Sequence, residues 1–269
     1  MTRSDEKKVA LITGAARGLG RAMSLGLAKA GYVVAACDLP NSSVELGSLV
    51  REAESDKAAI YPVYCDVTDF EHCSKVVDEL RTKFGAIDIL VNNAGIGMEV
   101  ITPHVLNNPY KFYEIDEAFW RRVIDINLLG TFRMTKLIVP YQVARGWGRV
   151  VNVTTSLTTM LMAGLSPYGP SKAAIEAASL IWSKELAGTG VTVNVLIPGG
   201  PADTRMIPHE GISARETLVR PEAMVPPLLW LVSTDADGVT GRRYQAKLWF
   251  SDVPVQEAEK VAGARIAWA

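Results

Sequence analysis

The chain has 269 residues, 48% of them apolar and 21% charged, enough to bury a real core within one α/β domain. A formal charge of −1 supplies no basic field, so nucleic acid is not an expected partner. No apolar run approaches the roughly 20 residues that span a bilayer, and the charged opening Met1-Thr-Arg-Ser-Asp-Glu-Lys-Lys8 has no secretory apolar region, which predicts a cytoplasmic protein with no membrane partner.

In chain order, strand-like runs fall at about 9–14, 32–38, 59–65, 87–92, 148–155, 191–197 and 243–249. Helical segments alternate with them near 18–30, 43–55, 69–84, 116–144, 168–187 and 221–233. That alternation predicts an α/β fold: βαβ units, a mainly parallel sheet with helices on both faces, and one doubly wound Rossmann domain over residues 1–269. Gly14, Asp38, Asp66, Asn92, Thr155 and Pro198 all fall at strand ends, on the carboxyl edge where such a sheet holds its ligand.

The first strand, Val9-Ala-Leu-Ile-Thr13, runs into Gly14-Ala-Ala-Arg-Gly-Leu-Gly20 and then a helical stretch that ends before Gly31. Glycines permit a tight turn and close approach, and a helix N-terminus offers unpaired N–H groups to an anion. Gly14, Arg17, Gly18, Leu19 and Gly20 are therefore predicted to cradle a dinucleotide. The second strand ends in Asp38, 24 positions after Gly14, where such a unit places the acid that takes the adenosine ribose hydroxyls. A carboxylate there repels a 2′-phosphate, and Leu39 and Pro40 supply no cation, so NAD is expected over NADP. Arg17 is the contrary sign: it is either a partner for that phosphate or a solvated turn residue.

Cys37, Cys65 and Cys73 are odd in number, and His72, His104 and His209 are scattered; none shows metal-ligand spacing. Free thiols in a reducing compartment and no metal are expected. Tyr168 and Lys172 lie four apart at the opening of an apolar helix, hence on one face. A free phenol titrates at about pH 10, and a fixed cation beside it favours phenolate, each tenfold gain in ionisation being worth about 1.4 kcal/mol. The pair is predicted to make a tyrosine usable as a proton shuttle.

The spacing Thr13-Gly-x-x-x-Gly-x-Gly20 is followed in order by Cys65-Asp66-Val67-Thr-Asp69, Asn92-Asn-Ala-Gly95, Ile126-Asn127-Leu-Leu-Gly-Thr131 and Val151-Asn-Val-Thr-Thr-Ser156. Tyr168 with Lys172, Ile197-Pro-Gly199 and Val239-Thr-Gly241 complete the series. In this order and spacing the chain resembles the short-chain dehydrogenase/reductase family over roughly residues 7 to 250. The resemblance implies a seven-stranded sheet of order 3-2-1-4-5-6-7 and NAD(P)-dependent interconversion of a secondary alcohol and a ketone. It also implies a homodimer or homotetramer built on helices 116–144 and 168–187. Some proteins of this fold bind the dinucleotide as silent sensors or scaffolds, but they typically lack the tyrosine or the lysine, and both are here.

By resemblance, Tyr168 moves the hydroxyl proton, Lys172 bonds the nicotinamide ribose, and Asn127 anchors a water that relays protons. Without the other motifs, Asn127 reads as a helix-interior polar residue bonded to backbone. Asp66 and Val67 flank the adenine. Asn93, Ala94 and Gly95 let backbone pass close to the cofactor, as do Pro198 and Gly199, and Thr204 bonds the carboxamide. The family's substrate-binding serine has no clean counterpart. Counting back thirteen from Tyr168 selects Thr155, whereas a one-residue bulge would present Ser156. Three segments depart from the family: an insertion at 96–116, a substrate-loop region at 201–220, and an extension at 251–269 expected to pack on a neighbouring subunit or over a pocket.

Overall fold

The computed structural model describes residues 7–101, 108–207 and 214–266. The run Val9–Thr13 is buried at every position and becomes β1. Its side chains alternate: Leu11 enters the core on one side of the sheet, Ala10 and Ile12 the core on the other. Strands apolar on both faces need cover on both sides, and the intervening helices supply it. The remaining strands are β2 (Val33–Asp38), β3 (Ile60–Tyr64), β4 (Ile89–Asn92), β5 (Gly148–Val153), β6 (Val191–Ile197), β7 (Arg242–Gln245) and β8 (Gly263–Arg265). They pair in the order β3-β2-β1-β4-β5-β6-β7-β8. Every pair is parallel except β7–β8. The expected order of seven is present, with one antiparallel strand added at the edge.

The helices are α1 (Gly18–Lys29), α2 (Ser43–Ser55), α3 (Phe70–Phe84), α4 (Glu117–Ile124), α5 (Gly130–Arg145), α6 (Leu157–Met160), α7 (Tyr168–Glu185), α8 (Val225–Leu231) and α9 (Val255–Ala262). Met23, Leu27, Leu46, Leu49, Leu228 and Leu231 carry α1, α2 and α8 onto one face. Val76, Leu80, Met134 and Ile138 carry α3 and α5 onto the other. Each such side chain stabilises the fold by roughly 1.5–3 kcal/mol relative to exposure. No helix among the described residues is long and apolar enough to cross a membrane.

Three elements differ from the sequence reading. The long helix expected at 116–144 is broken into α4 and α5 by a π-turn at Asp125–Leu129, and Asn127 lies in that turn. An inserted residue of this kind re-aims the side chains around it. The segment 221–233 begins as a 3₁₀ turn, Pro221–Met224, and only then becomes α8. Pro226 and Pro227 fall in the first turn of α8, where no donor is missed. After Gln245 the last predicted strand coils into a 3₁₀ turn, Ala246–Leu248, instead of continuing to 249.

The C-terminal extension packs on this chain's own sheet. The Tyr244 hydroxyl donates to Glu259 Oε1 at 3.0 Å, Trp230, Tyr244 and Trp249 stack edge-on beneath, and Ile266 is buried with Val195 and Ile197. Residues 267–269, which hold the apolar end expected to pack on a neighbouring subunit or over a pocket, lie outside the described residues, as do 102–107 of the insertion. A polar seam crosses the sheet between β4 and β5. Asn92 Nδ2 donates to Asn152 Oδ1 at 2.8 Å and to Thr135 Oγ1 at 3.0 Å, and Asn152 Nδ2 donates to Ser179 Oγ at 2.8 Å.

Candidate active site

Because β1 lies between β2 and β4, the connections leaving β1 and β4 diverge, and a crevice opens at the carboxyl ends of the strands. It is a cleft of about 2070 Å³. At one end stand Gly14, Arg17, Gly18, Leu19, Asp38, Asp66 and Val67; along its floor run Asn93, Ala94, Gly95, Pro198, Gly199 and Thr204. Thr155, Ser156, Tyr168 and Lys172 line the other end. Two predicted site residues are not on its wall. Gly20 sits behind the turn, where a Cβ would come within 2.1 Å of the Gly14 carbonyl oxygen. Asn127 is fully buried behind Ile96.

The glycine turn is held from below. Gly14 takes φ +64°, a conformation that excludes most side chains. Thr13 Oγ1 accepts from the N–H groups of Asn93 and Ala94, each at 3.0 Å, and Asn93 Nδ2 donates to the carbonyls of Thr13 and Gly14. The Asn93 side chain therefore braces the turn rather than facing the cleft. Asp38 accepts from Ala16 N at 2.9 Å through Oδ2, and from Leu39 N and Ser42 Oγ through Oδ1. A carboxylate offers about four acceptor sites, so one remains for a ribose hydroxyl. Arg17 Nη1 is 2.8 Å from Glu45 Oε1, so its charge is met within the chain. Asp66 spends Oδ1 on Thr68 N and Oγ1.

Beneath this end lie the three buried thiols. Cys65 Sγ is 3.5 Å from Cys73 Sγ, and Cys65 is pushed up to about 12 by the neighbouring Cys37 thiol and by burial. Among the described residues no three His, Cys, Asp or Glu side chains are grouped to hold a metal; His104 and His209 lie outside them.

At the other end Tyr168 opens α7, with the Thr155 side chain beside its hydroxyl. Ser156 is occupied elsewhere: its Oγ caps α6 by accepting from Thr159 N at 3.0 Å and contacts Thr159 Oγ1 at 2.8 Å. Of the two candidates, Thr155 is the one that meets the tyrosine.

Burial governs the electrostatics of the pair. Burial pushes Tyr168 up to about 12; the neighbouring Thr155 side chain pulls the other way, and the nearby Glu99 charge adds to the rise. Burial also lowers Lys172 to about 8. Lys172 Nζ donates to the Val153 carbonyl at 3.0 Å and lies 6.0 Å from the Tyr168 ring centre. Burial is the largest cause in both groups and acts against the charged form of each.

Asn127 bonds to protein on both ends of its amide. Oδ1 accepts from Ile96 N at 2.9 Å, while Nδ2 donates to Ile96 O and to Ser171 Oγ, each at 3.0 Å. Ser171 in turn donates to the Tyr168 carbonyl at 2.7 Å, tying the π-turn to the first turn of α7. The sequence reading missed Ser171, although it lies between Tyr168 and Lys172.

It also missed Glu176, one turn beyond Lys172 on the same face. The buried Glu176 Oε1 accepts from Thr154 Oγ1 and from Arg243 Nε, each at 2.8 Å, and Arg243 Nη2 donates to the Thr155 carbonyl at 2.9 Å. The available signal was an acid amid the Ala-Ala-Ile-Glu-Ala-Ala run of α7; Arg243, second of a pair on the polar strand β7, gave none. Glu99, in the insertion, was missed as well; it lines the cleft with one carboxylate oxygen unbonded.

Comparison with known proteins agrees with this geometry. The family model described as short chain dehydrogenase matches residues 8–211. The 3-oxoacyl-[acyl-carrier-protein] reductase of Thermotoga maritima is 36% identical over 246 residues, covering 88% of this chain and 95% of that protein. A structure from Beutenbergia cavernae, with NADP bound at low occupancy, superposes with a TM-score of 0.78 at 27% identity, covering 90% of this chain and 96% of that one. A variant of the actinorhodin polyketide ketoreductase with NADPH superposes at 0.76 and 26% identity, covering 87% and 93%. Sheet order, glycine turn and the Tyr168–Lys172 helix thus fall within one lineage of oxidoreductases, and the chain belongs to the short-chain dehydrogenase family.

Proposed function

We propose that the protein interconverts a secondary alcohol and a ketone, with NAD as the preferred hydride carrier. The observation that carries this reading is the grouping of Tyr168, Lys172 and Thr155 at the far end of the cleft whose near end is the glycine turn. The residues fit a dinucleotide. A Cβ on Gly95 would stand 3.1 Å from Asn127 Oδ1 and 3.4 Å from Lys172 Nζ, so the floor of the cleft is kept clear where a ribose would pass. When bound, the dinucleotide supplies or takes up the hydride.

The protein's own part is position and protons. Thr155 holds the substrate oxygen by donating its hydroxyl hydrogen. Tyr168, a neutral phenol here, donates its proton to that oxygen as a ketone is reduced. Lys172, with a lowered pKa, restores the tyrosine's proton and bonds the ribose in this reading. Asn127 positions both through Ser171 and Ile96. Asp38, and the pairing of Arg17 with Glu45, support NAD over NADP, unlike the two superposed structures. Gly97–Val100 and Pro201–Ile207 line the substrate end of the cleft. Exposed Leu129, Phe132, Tyr141 and Ile181 support association through α5 and α7.

The test follows nicotinamide absorbance with a panel of secondary alcohols and ketones. Tyr168→Phe should lower kcat by about 10²–10⁴ while cofactor affinity is kept, and kcat/KM should favour NAD. Turnover undiminished in Tyr168→Phe would defeat the assignment; absence of turnover with intact cofactor binding would favour a dinucleotide sensor.

A further inference from the structure

The substrate end of the cleft is mostly apolar, with Met98, Met162, Leu165 and Met206 on its walls. Glu99 stands among them. Its Oε1 accepts from Gly97 N at 3.2 Å, a short local bond within a 3₁₀ turn. Its Oε2 is buried and has no hydrogen-bond partner among the described residues. This oxygen lies against Gly97: a Cβ there would come within 2.6 Å of it, and within 3.4 Å of the Met206 sulfur.

Three cations that line the cleft are directed elsewhere. Arg215 pairs with Asp203, Arg205 lies 4.0 Å from Glu45, and Lys172 bonds Val153 O. Burial raises the carboxyl's pKa, and its charge is near enough to Tyr168 to oppose ionisation of the phenol. A local backbone cap could be made by a shorter polar side chain. A carboxylate oxygen kept dry and unbonded costs stability unless something else satisfies it.

We propose that Glu99 anchors a second hydrogen-bond donor on the substrate, a hydroxyl or an ammonium group borne on an otherwise apolar frame beside the reacting carbinol. The inference rests on the alcohol–ketone reading and narrows it to diols or amino alcohols. The alternatives, a simple hydrocarbon alcohol or a ligand bearing only acceptors, would leave Oε2 unpaired in the bound state, as it is now.

The test compares cyclohexanol with cyclohexane-1,2-, 1,3- and 1,4-diol and with 2-aminocyclohexanol, binding each to the NAD-loaded protein by calorimetry and following turnover in parallel. In the wild type at least one donor-bearing ligand should bind about tenfold more tightly than cyclohexanol. Glu99→Leu should abolish that advantage. Glu99→Gln, which keeps the volume and the acceptor for Gly97 N, should retain part of a diol's advantage and lose an amino alcohol's, which separates the two donors.

Equal binding of cyclohexanol and every donor-bearing ligand to the wild type, or an equal loss for all of them in Glu99→Leu, overturns the proposal. A weakened NAD affinity in either variant assigns Glu99 to the cofactor and overturns it too. Should Glu99→Leu fail to fold, an undiminished amino-alcohol advantage in Glu99→Gln overturns it for ammonium. An undiminished diol advantage in Glu99→Ala then overturns it for hydroxyl. A binding advantage without turnover of any alcohol would defeat the proposed reaction and leave the donor subsite standing.

Discussion

Lys172 shows how a functional residue can oppose the fold that holds it. In the unfolded chain its ammonium is protonated up to about 10.5, in the fold only to about 8. Below pH 8 both states are charged, and the fold bears the full burial penalty. Between pH 8 and 10.5 the folded state sheds its proton first and the penalty falls away, so this site's contribution to stability rises with pH across that window. Lys172→Met should therefore stabilise the protein by about 1–3 kcal/mol at pH 7, an advantage that shrinks toward pH 10, while abolishing turnover. Urea unfolding of both proteins at pH 7 and pH 9.5 measures this; a variant less stable at pH 7 would show that the lost bond to Val153 O outweighs desolvation.

The identity of these residues was legible from spacing, because i and i+4 on a helix always meet. Their ionisation was not, since burial depends on what the rest of the chain lays over them. The choice of Thr155 over Ser156 was open for a related reason. It turns on the short α6, whose first turn claims the Ser156 hydroxyl as a cap, and four residues give too little pattern to foresee a helix.

Among the elements, α7 and β7 are joined by the buried Glu176–Arg243 pair, which also fixes the end of β5 through Thr154 and the Thr155 carbonyl. Glu176→Ala should cost about 3–5 kcal/mol, because it leaves a buried guanidinium without its carboxylate. The double variant Glu176→Leu, Arg243→Leu should recover much of that stability while lowering kcat, since the Thr155 carbonyl loses its support. Urea melts alongside steady-state kinetics distinguish the two effects; a double variant as unstable as Glu176→Ala would argue against desolvation as the dominant cost.

Six of the seven parallel strands were legible as short runs rich in apolar residues and bounded by turn residues, while the polar β7 was placed by the Val239-Thr-Gly241 motif before it. The π-turn and β8 were not. A π-turn alters the count by one residue without altering composition, and Gly263-Ala-Arg265 has no apolar run at all. It is a strand because α9, anchored by buried Ala258 and Ala262, delivers it to the open side of β7.

For the molecule as a whole, that delivery covers a row of backbone donors and acceptors that would otherwise be open to another chain. Deleting residues 251–269 should lower the melting temperature and make aggregation more dependent on concentration. Scattering during a thermal ramp reports it, and an unchanged onset would show that β8 protects nothing.

The seam of amides between β4 and β5 has a different reach. Asn92 stands opposite Asn152 in the ladder, and its amide donates to the other's carbonyl oxygen. Slide one strand by a single residue and its amide turns toward hydrocarbon on the far side of the sheet. The pair thus works as a detent. Because Asn93–Gly95 and Thr154–Thr155 directly follow the ends of these two strands, the notch that forbids slippage also keeps the two stretches of cleft wall level with each other.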